Sequence, residues 1–167
     1  MDGFGVYLPR WPVTVISKMD KEERIARAVE LFKSGCNCSQ AIVGAFADQY
    51  GFTPEQAMRM SAAFGGGIGR MRLTCGAACG IFMLAGLEAT DPQDKASKKA
   101  VYDKVQELAA EFVKRNGALA CADLLGLSKG VDPTTGEAVP RRPKKPCAQI
   151  VEEAARLWTE RQQTDQP

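Results

Sequence analysis

Histidine is missing altogether from the 167 residues. That one zero removes a Ser–His or Cys–His dyad, a histidine-bearing zinc site, a Rieske centre and haem held by the protein's own histidine. Charge of one sign is nearly missing too. Twenty-two Lys+Arg against 20 Asp+Glu leave a formal net charge of +2, too little to argue for nucleic acid or an anionic membrane surface as partner. No run approaches the roughly 20 apolar residues of a membrane span. The longest uncharged stretch, Leu73–Leu87, is short and rich in Gly and Ala. A secretory signal does not fit residues 1–18 either, because Asp2 is acidic and Pro9, Arg10 and Pro12 interrupt the apolar stretch. The expectation is a soluble, cytoplasmic protein with neither membrane nor nucleic acid as partner.

What is present is a foldable composition, 45% hydrophobic and 25% charged, with six cysteines at 36, 38, 75, 79, 121 and 147. Such a balance supports one buried core and excludes global disorder. In a reducing compartment the thiols point to metal binding or catalysis rather than to a disulfide framework.

The hydrophobic spacing predicts helices throughout. Lys21–Lys33 repeats Ile25, Val29 and Phe32 at i, i+4 and i+7, with Asp20 as N-cap and Ser34-Gly35 as stop. A second helix is expected over about 39–50 with Ile42, Val43 and Phe46 inward, ended by Gly51. Thr53-Pro54-Glu55-Gln56 opens a third, carrying Ala57, Met60, Ala63 and Phe64 up to Gly65-Gly66-Gly67-Ile68-Gly69. A small-residue helix follows over about 75–87. Asp91-Pro92 opens a long one to about Arg115, striped by Val101, Val105, Leu108 and Phe112 and closed by Asn116-Gly117. A short helix over 118–125, a Gly/Pro-rich loop over 126–146 and a last helix over about 148–161 complete the chain. Ile150, Val151, Ala154, Leu157 and Trp158 face inward on the last of these. The fold class is all-α, a compact single-domain bundle of six or seven helices over residues 20–163. Residues 1–19 read as an irregular N-terminal extension and residues 164–167 as a tail.

Position separates the cysteines. Cys38, Cys75, Cys121 and Cys147 each stand at or near a predicted helix N-terminus, where free N–H groups and the positive dipole end favour a thiolate. A thiolate is the species that exchanges disulfides and binds soft metals. Cys79, one turn after Cys75, reads as a small buried hydrophobe or an extra ligand. Cys36 is open between extra ligand, resolving thiol and structural residue. No Cys-x-x-Cys or ferredoxin spacing is present. The glycine run has no preceding strand and the wrong spacing for a dinucleotide fingerprint, and it lacks the Gly-Lys-Ser/Thr of a Walker loop. It reads as a turn needing positive φ, thin enough at Gly66 and Gly67 to let a cluster approach the backbone. Arg70 and Arg72 behind it can balance an anionic group. The basic stretch 141–145 and Lys95, Lys98 and Lys99 read as solvated surface.

Taken in order, Phe32-x-x-Gly35-x-Asn37-Cys38-Ser39-Gln40-Ala41, Phe64-Gly65-Gly66-Gly67-Ile68, Cys75-Gly76-Ala77-Ala78-Cys79-Gly80, Cys121-x-x-Leu124-Leu125-Gly126 and Cys147 resemble the C-GCAxxG-C-C family of bacterial and archaeal redox proteins. The resemblance covers about residues 21–160 and implies that the family's four cysteines are Cys38, Cys75, Cys121 and Cys147, with Cys36 and Cys79 outside the four.

Four converging thiolates suit an iron–sulfur cluster, most simply [2Fe–2S], in an electron-transfer protein with a redox partner protein. The alternatives are a metal-free thiol–disulfide protein, a zinc-binding structural or sensing module, and a helical interaction protein with incidental thiols. Apolar faces on many helices leave room for a homodimer.

Overall fold

The computed structural model describes residues 19–91, 93–127 and 145–164, and the backbone of 130–131 and 138–139. The expected extension falls outside the described residues except for Met19, and so do the last three residues of the expected tail.

Helix α1, Lys21–Lys33, begins at a reciprocal cap. Asp20 Oδ1 accepts from the Glu23 N–H at 2.9 Å, and Glu23 Oε2 accepts from the Asp20 N–H at 2.8 Å. Its buried stripe is Ile25, Ala28 and Leu31, with Val29 and Phe32 at the flank, so the expected face is turned by part of a turn. Arg24 and Arg27 lie on the buried side rather than in water. Arg24 earns its place with a two-pronged pair to Asp48, at 2.7 and 2.9 Å, and a bond to the Ala45 carbonyl at 2.8 Å, the planar fork being matched to a carboxylate.

Helix α2, Cys38–Phe46, buries Ile42, Val43 and Phe46 and passes into a 3₁₀ turn, Ala47–Tyr50. Gly51, at φ +79°, ends it. Helix α3, Pro54–Ser61, has the expected start, with Thr53 and Gln56 capping each other. It stops sooner than its sequence pattern suggests. A 3₁₀ turn, Ala62–Phe64, follows, and Ala63 is exposed rather than packed.

Helix α4, Gly76–Leu87, is buried along most of its length, which is why its apolar residues show no stripe. It crosses α2 so closely that a Cβ on Gly80 would sit 2.7 Å from Ile42 Cβ. Helix α5, Lys95–Asn116, starts later than Asp91-Pro92 implied. Asp94 is the cap, accepting from the Ser97 N–H at 2.7 Å, because an Asp one residue before the helix satisfies a free donor directly. Only Leu108 and Phe112 of its stripe are fully buried. Gly117, at φ +90°, closes it.

Helix α6, Cys121–Leu124, is a single turn. Within the segment expected to be loop, Gly130–Val131 (β1) and Ala138–Val139 (β2) pair antiparallel with Gly130 opposite Val139, a minimal ladder on an otherwise helical architecture. Helix α7, Cys147–Thr164, buries all five residues that periodicity assigned inward, with Ala155 and Thr159 added.

Helices α1, α2, α4 and α7 pack around one core that includes Phe46, Ile81, Leu84 and Trp158, and α5 covers α4 and α7. Val43, Ala47 and Ala57 form a smaller cluster between α2 and α3. Among the described residues no helix is long and apolar enough to cross a membrane.

Candidate functional site

Four chain segments deliver one cysteine each to the same end of the bundle. Cys38 is the first residue of α2, Cys75 is the N-cap of α4, Cys121 is the first residue of α6 and Cys147 is the first residue of α7. Two of these helix starts have a local cause beside them. Asn37 caps α2, accepting from the N–H groups of Ser39 and Gln40 at 3.0 Å each. Its Nδ2 donates to the Ala62 carbonyl at 2.9 Å, which ties the Cys38 turn to the end of α3. Pro146 precedes α7 and its carbonyl takes the first turn's N–H groups from Gln149 and Ile150.

Cys75 and Cys121 are held together through the backbone. The Cys75 N–H donates to the Leu119 carbonyl at 2.9 Å, the Cys121 N–H to Leu73 at 2.6 Å and the Ala122 N–H to Arg72 at 3.1 Å, around an antiparallel bridge between Thr74 and Ala120. A ladder this short is stable because both strands are anchored by the helices that leave them. Cys147 is brought in by Lys145, whose N–H bonds to the Leu124 carbonyl at 3.0 Å and whose Nζ reaches Asn116 Oδ1 at 2.7 Å.

The thiols then act on one another. Cys75 and Cys121 are buried, Cys38 and Cys147 half-buried. The Cys38 thiol is held strongly in its protonated form, first by a hydrogen bond with Cys147, then by burial, then by the nearness of Cys75, Cys147 and Cys121. Burial pushes Cys75 up to about 11, with Cys121 and Cys147 adding to it, while the N–H groups of Ala77 and Ala78 at the start of α4 pull the other way. Buried like charges disfavour one another's ionised form, so Cys38 and Cys75 hold their protons above the ordinary thiol range. The cation at hand is Arg72, whose Nη1 lies 3.8 Å from Cys121 Sγ.

The glycine turn supplies the close wall. Backbone φ is positive at Gly66, Gly67 and Gly69 and stays so through Ile68, Arg70 and Arg72. A Cβ on Gly67 would meet Cys121 Cβ at 2.6 Å, and one on Gly76 would lie 3.2 Å from Cys38 Cβ. Gly67 is therefore a direct neighbour of the cysteine set, whereas the space beside Gly66 is taken by Arg70.

Cys36 and Cys79 have other surroundings. Cys36 Sγ meets Met58 Sδ at 3.9 Å and its thiol is raised by burial, with Ser34 and Arg27 opposing. Cys79 is buried within α4, bonds to the Thr74 carbonyl at 3.9 Å and is also raised by burial. Asn37 was not among the residues singled out for a role, yet it positions Cys38. Its signal was legible as an Asn followed three residues later by Gln40. Among the described residues no three Cys, Asp or Glu side chains converge so as to hold a single metal ion.

The fold and the site define an all-helical domain with four cysteines at helix starts on one end of the bundle. The family model described as "Putative redox-active protein (C_GCAxxG_C_C)" matches residues 36–161, and the chain belongs to that family. No curated protein and no solved structure matches the chain.

Proposed function

We propose that the chain is an electron-transfer protein whose Cys38, Cys75, Cys121 and Cys147 hold a [2Fe–2S] cluster. The observation that carries the reading is the placement of the four cysteines at helix starts on one end of the bundle, with Cys38 hydrogen-bonded to Cys147 and with Cys75 and Cys121 near enough to raise the Cys38 thiol. A sulfur set of that kind is stabilised by a positive centre, and iron with inorganic sulfide takes four thiolates. The donor chemistry fits, and so does its distribution. Each iron of such a cluster asks for two thiolates, and the cysteines come as two associations, Cys75 with Cys121 through the backbone bridge and Cys38 with Cys147 through their hydrogen bond.

When bound, the cluster supplies one-electron chemistry. The chain's own part is to exclude water with the burial of Cys75 and Cys121, to leave an electron path at the half-buried Cys38 and Cys147, and to offset negative charge with Arg72. Anaerobic purification followed by a visible spectrum and iron, sulfide and zinc analysis tests this. Iron with sulfide, lost in Cys75→Ser, is the expected result. Zinc without sulfide, or neither metal, refutes it.

The hydrogen bond between Cys38 and Cys147 favours a second reading, a dithiol couple. Here both thiols give up their protons and two electrons to a partner's disulfide, which leaves as two thiols while a Cys38–Cys147 disulfide forms. The raised Cys38 and Cys75 thiols are poor nucleophiles near neutral pH, which ranks this reading second.

A further inference from the structure

Around α6 the surface breaks the rule that large apolar side chains are covered. Met71 is 61% exposed, Leu73 52% and Leu127 52%. Backbone bonds gather them, since Leu73 pairs with Cys121, Arg72 with Ala122 and Ala122 with Leu127. Arg70 and Arg72 project from the same turn, both exposed and both at φ 65°, a left-handed conformation that ordinary residues avoid. Strain of this kind persists where the surrounding structure needs the side chains placed, and it clusters at functional sites. Neither arginine pairs with a carboxylate among the described residues. Residues 65–75 contain no acid at all, and 118–127 contain only Asp123. The acids of this nearly neutral chain lie elsewhere, on α1, α5 and α7 among other places.

We infer that this face is the docking surface for an acidic redox partner protein, with Met71, Leu73 and Leu127 as the apolar centre and Arg70 and Arg72 as the basic rim. The inference rests on the redox reading above but not on which group carries the electrons. An apolar centre with a charged rim is the ordinary anatomy of a transient interface. Complementary charge steers encounter and makes it salt-dependent. The position is functional as well, because Arg72 touches Cys121 on one side and the surface on the other.

The test uses the full chain with two probes, an acidic plant-type [2Fe–2S] ferredoxin and the basic cytochrome c, by biolayer interferometry at low salt and at roughly 0.3 M salt, where the Debye length is well under 10 Å. The ferredoxin is expected to bind at low salt and to weaken about tenfold or more at high salt. Arg70→Gln with Arg72→Gln should weaken it about tenfold at low salt, and Met71→Ser with Leu127→Ser should weaken it at both salts. Lys95→Gln with Lys98→Gln removes the same charge from α5 and should leave binding unchanged. Circular dichroism matching the parent shows that each variant folds. Equal loss in the α5 pair, equal binding of cytochrome c, or no ferredoxin binding at low salt overturns the inference. So does a dimer in sedimentation that Met71→Ser with Leu127→Ser dissociates. Iron and sulfide are measured on the same preparation. A cluster-free sample that still binds ferredoxin sinks only the cluster reading, and a loaded sample that does not bind sinks only this one.

Discussion

Gly67→Ala is the substitution that probes the site's geometry most directly. Two effects act there. Gly67 sits at φ +74°, which a side chain disfavours by about 1–2 kcal/mol. The new Cβ would also lie 2.6 Å from Cys121 Cβ and 2.9 Å from the Arg72 backbone. Nothing in that wall is a flexible side-chain end, so the contact must be relieved by moving the Cys121 turn, and overpacking of this kind costs about 1–3 kcal/mol. The sum is about 2–5 kcal/mol. The molecule contains its own control, because Gly51 has nearly the same φ, +79°, with nothing within 4 Å of an added Cβ. Gly51→Ala should therefore cost only the backbone part, about 1–2 kcal/mol. Urea unfolding of both variants without metal gives the two stabilities, and iron and sulfide per chain after anaerobic purification give the effect on the site. The expected result is a larger loss for Gly67→Ala, with loss of iron and sulfide that Gly51→Ala does not show. A Gly67→Ala variant no less stable than Gly51→Ala, with Cys121 undisturbed, would refute the close-wall argument.

The alkaline limit of the metal-free protein should report the buried thiols. Cys75 in the folded chain is raised from the ordinary 9.0 to about 11. Its stabilising contribution is therefore complete below pH 9 and lost as pH rises through about 11, by roughly 3 kcal/mol in all. Urea midpoints that fall over this range, and fall less in Cys75→Ser, are expected; midpoints that rise would contradict the assignment. Asp48→Ala leaves the buried Arg24 without its paired carboxylate and should cost about 3–5 kcal/mol in the same unfolding assay, a cost under 1 kcal/mol arguing that water replaces the pair. Asn37→Ala removes the cap of α2 and the tie to Ala62, with a loss of about 1–2 kcal/mol and increased alkylation of Cys38 by iodoacetamide. Unchanged alkylation would show that Asn37 does not hold that turn.

Helix identity was legible wherever local chemistry decides it. Asp20, Thr53-Pro54 and Gly51 act through atoms one to four residues away, so the starts of α1 and α3 and the end of the 3₁₀ turn that follows α2 appear where their signals stand, although α2 itself stops at Phe46. Five inward positions on α7 follow from a period of 3.6 alone. Boundaries that depend on competition between neighbouring signals were less legible. Asp94 outranks Asp91-Pro92 as the cap of α5, and α3 yields to a 3₁₀ turn before its apolar pattern ends. Cys38 and Cys147 stand at helix starts through an equally local cause, the Asn37 cap and Pro146, whereas α4 and α6 begin without a side-chain cap, beside the bridge between Thr74 and Ala120.

By itself, then, the sequence determined an all-helical chain and excluded histidine chemistry. It also marked which cysteines stand where a helix dipole would meet a thiol. Only the tertiary structure decided that Cys75, Cys121 and Cys147 come near enough to Cys38 to raise its thiol and that Gly67 walls in Cys121. It alone brought Arg72 from the glycine turn to Cys121, and it alone buried Arg24 and Arg27 on the side that helical spacing gave to solvent. The physical reason is range. Caps, propensity and periodicity act over a turn or two of chain, whereas burial, like-charge repulsion and close backbone approach depend on segments tens of residues apart meeting in space.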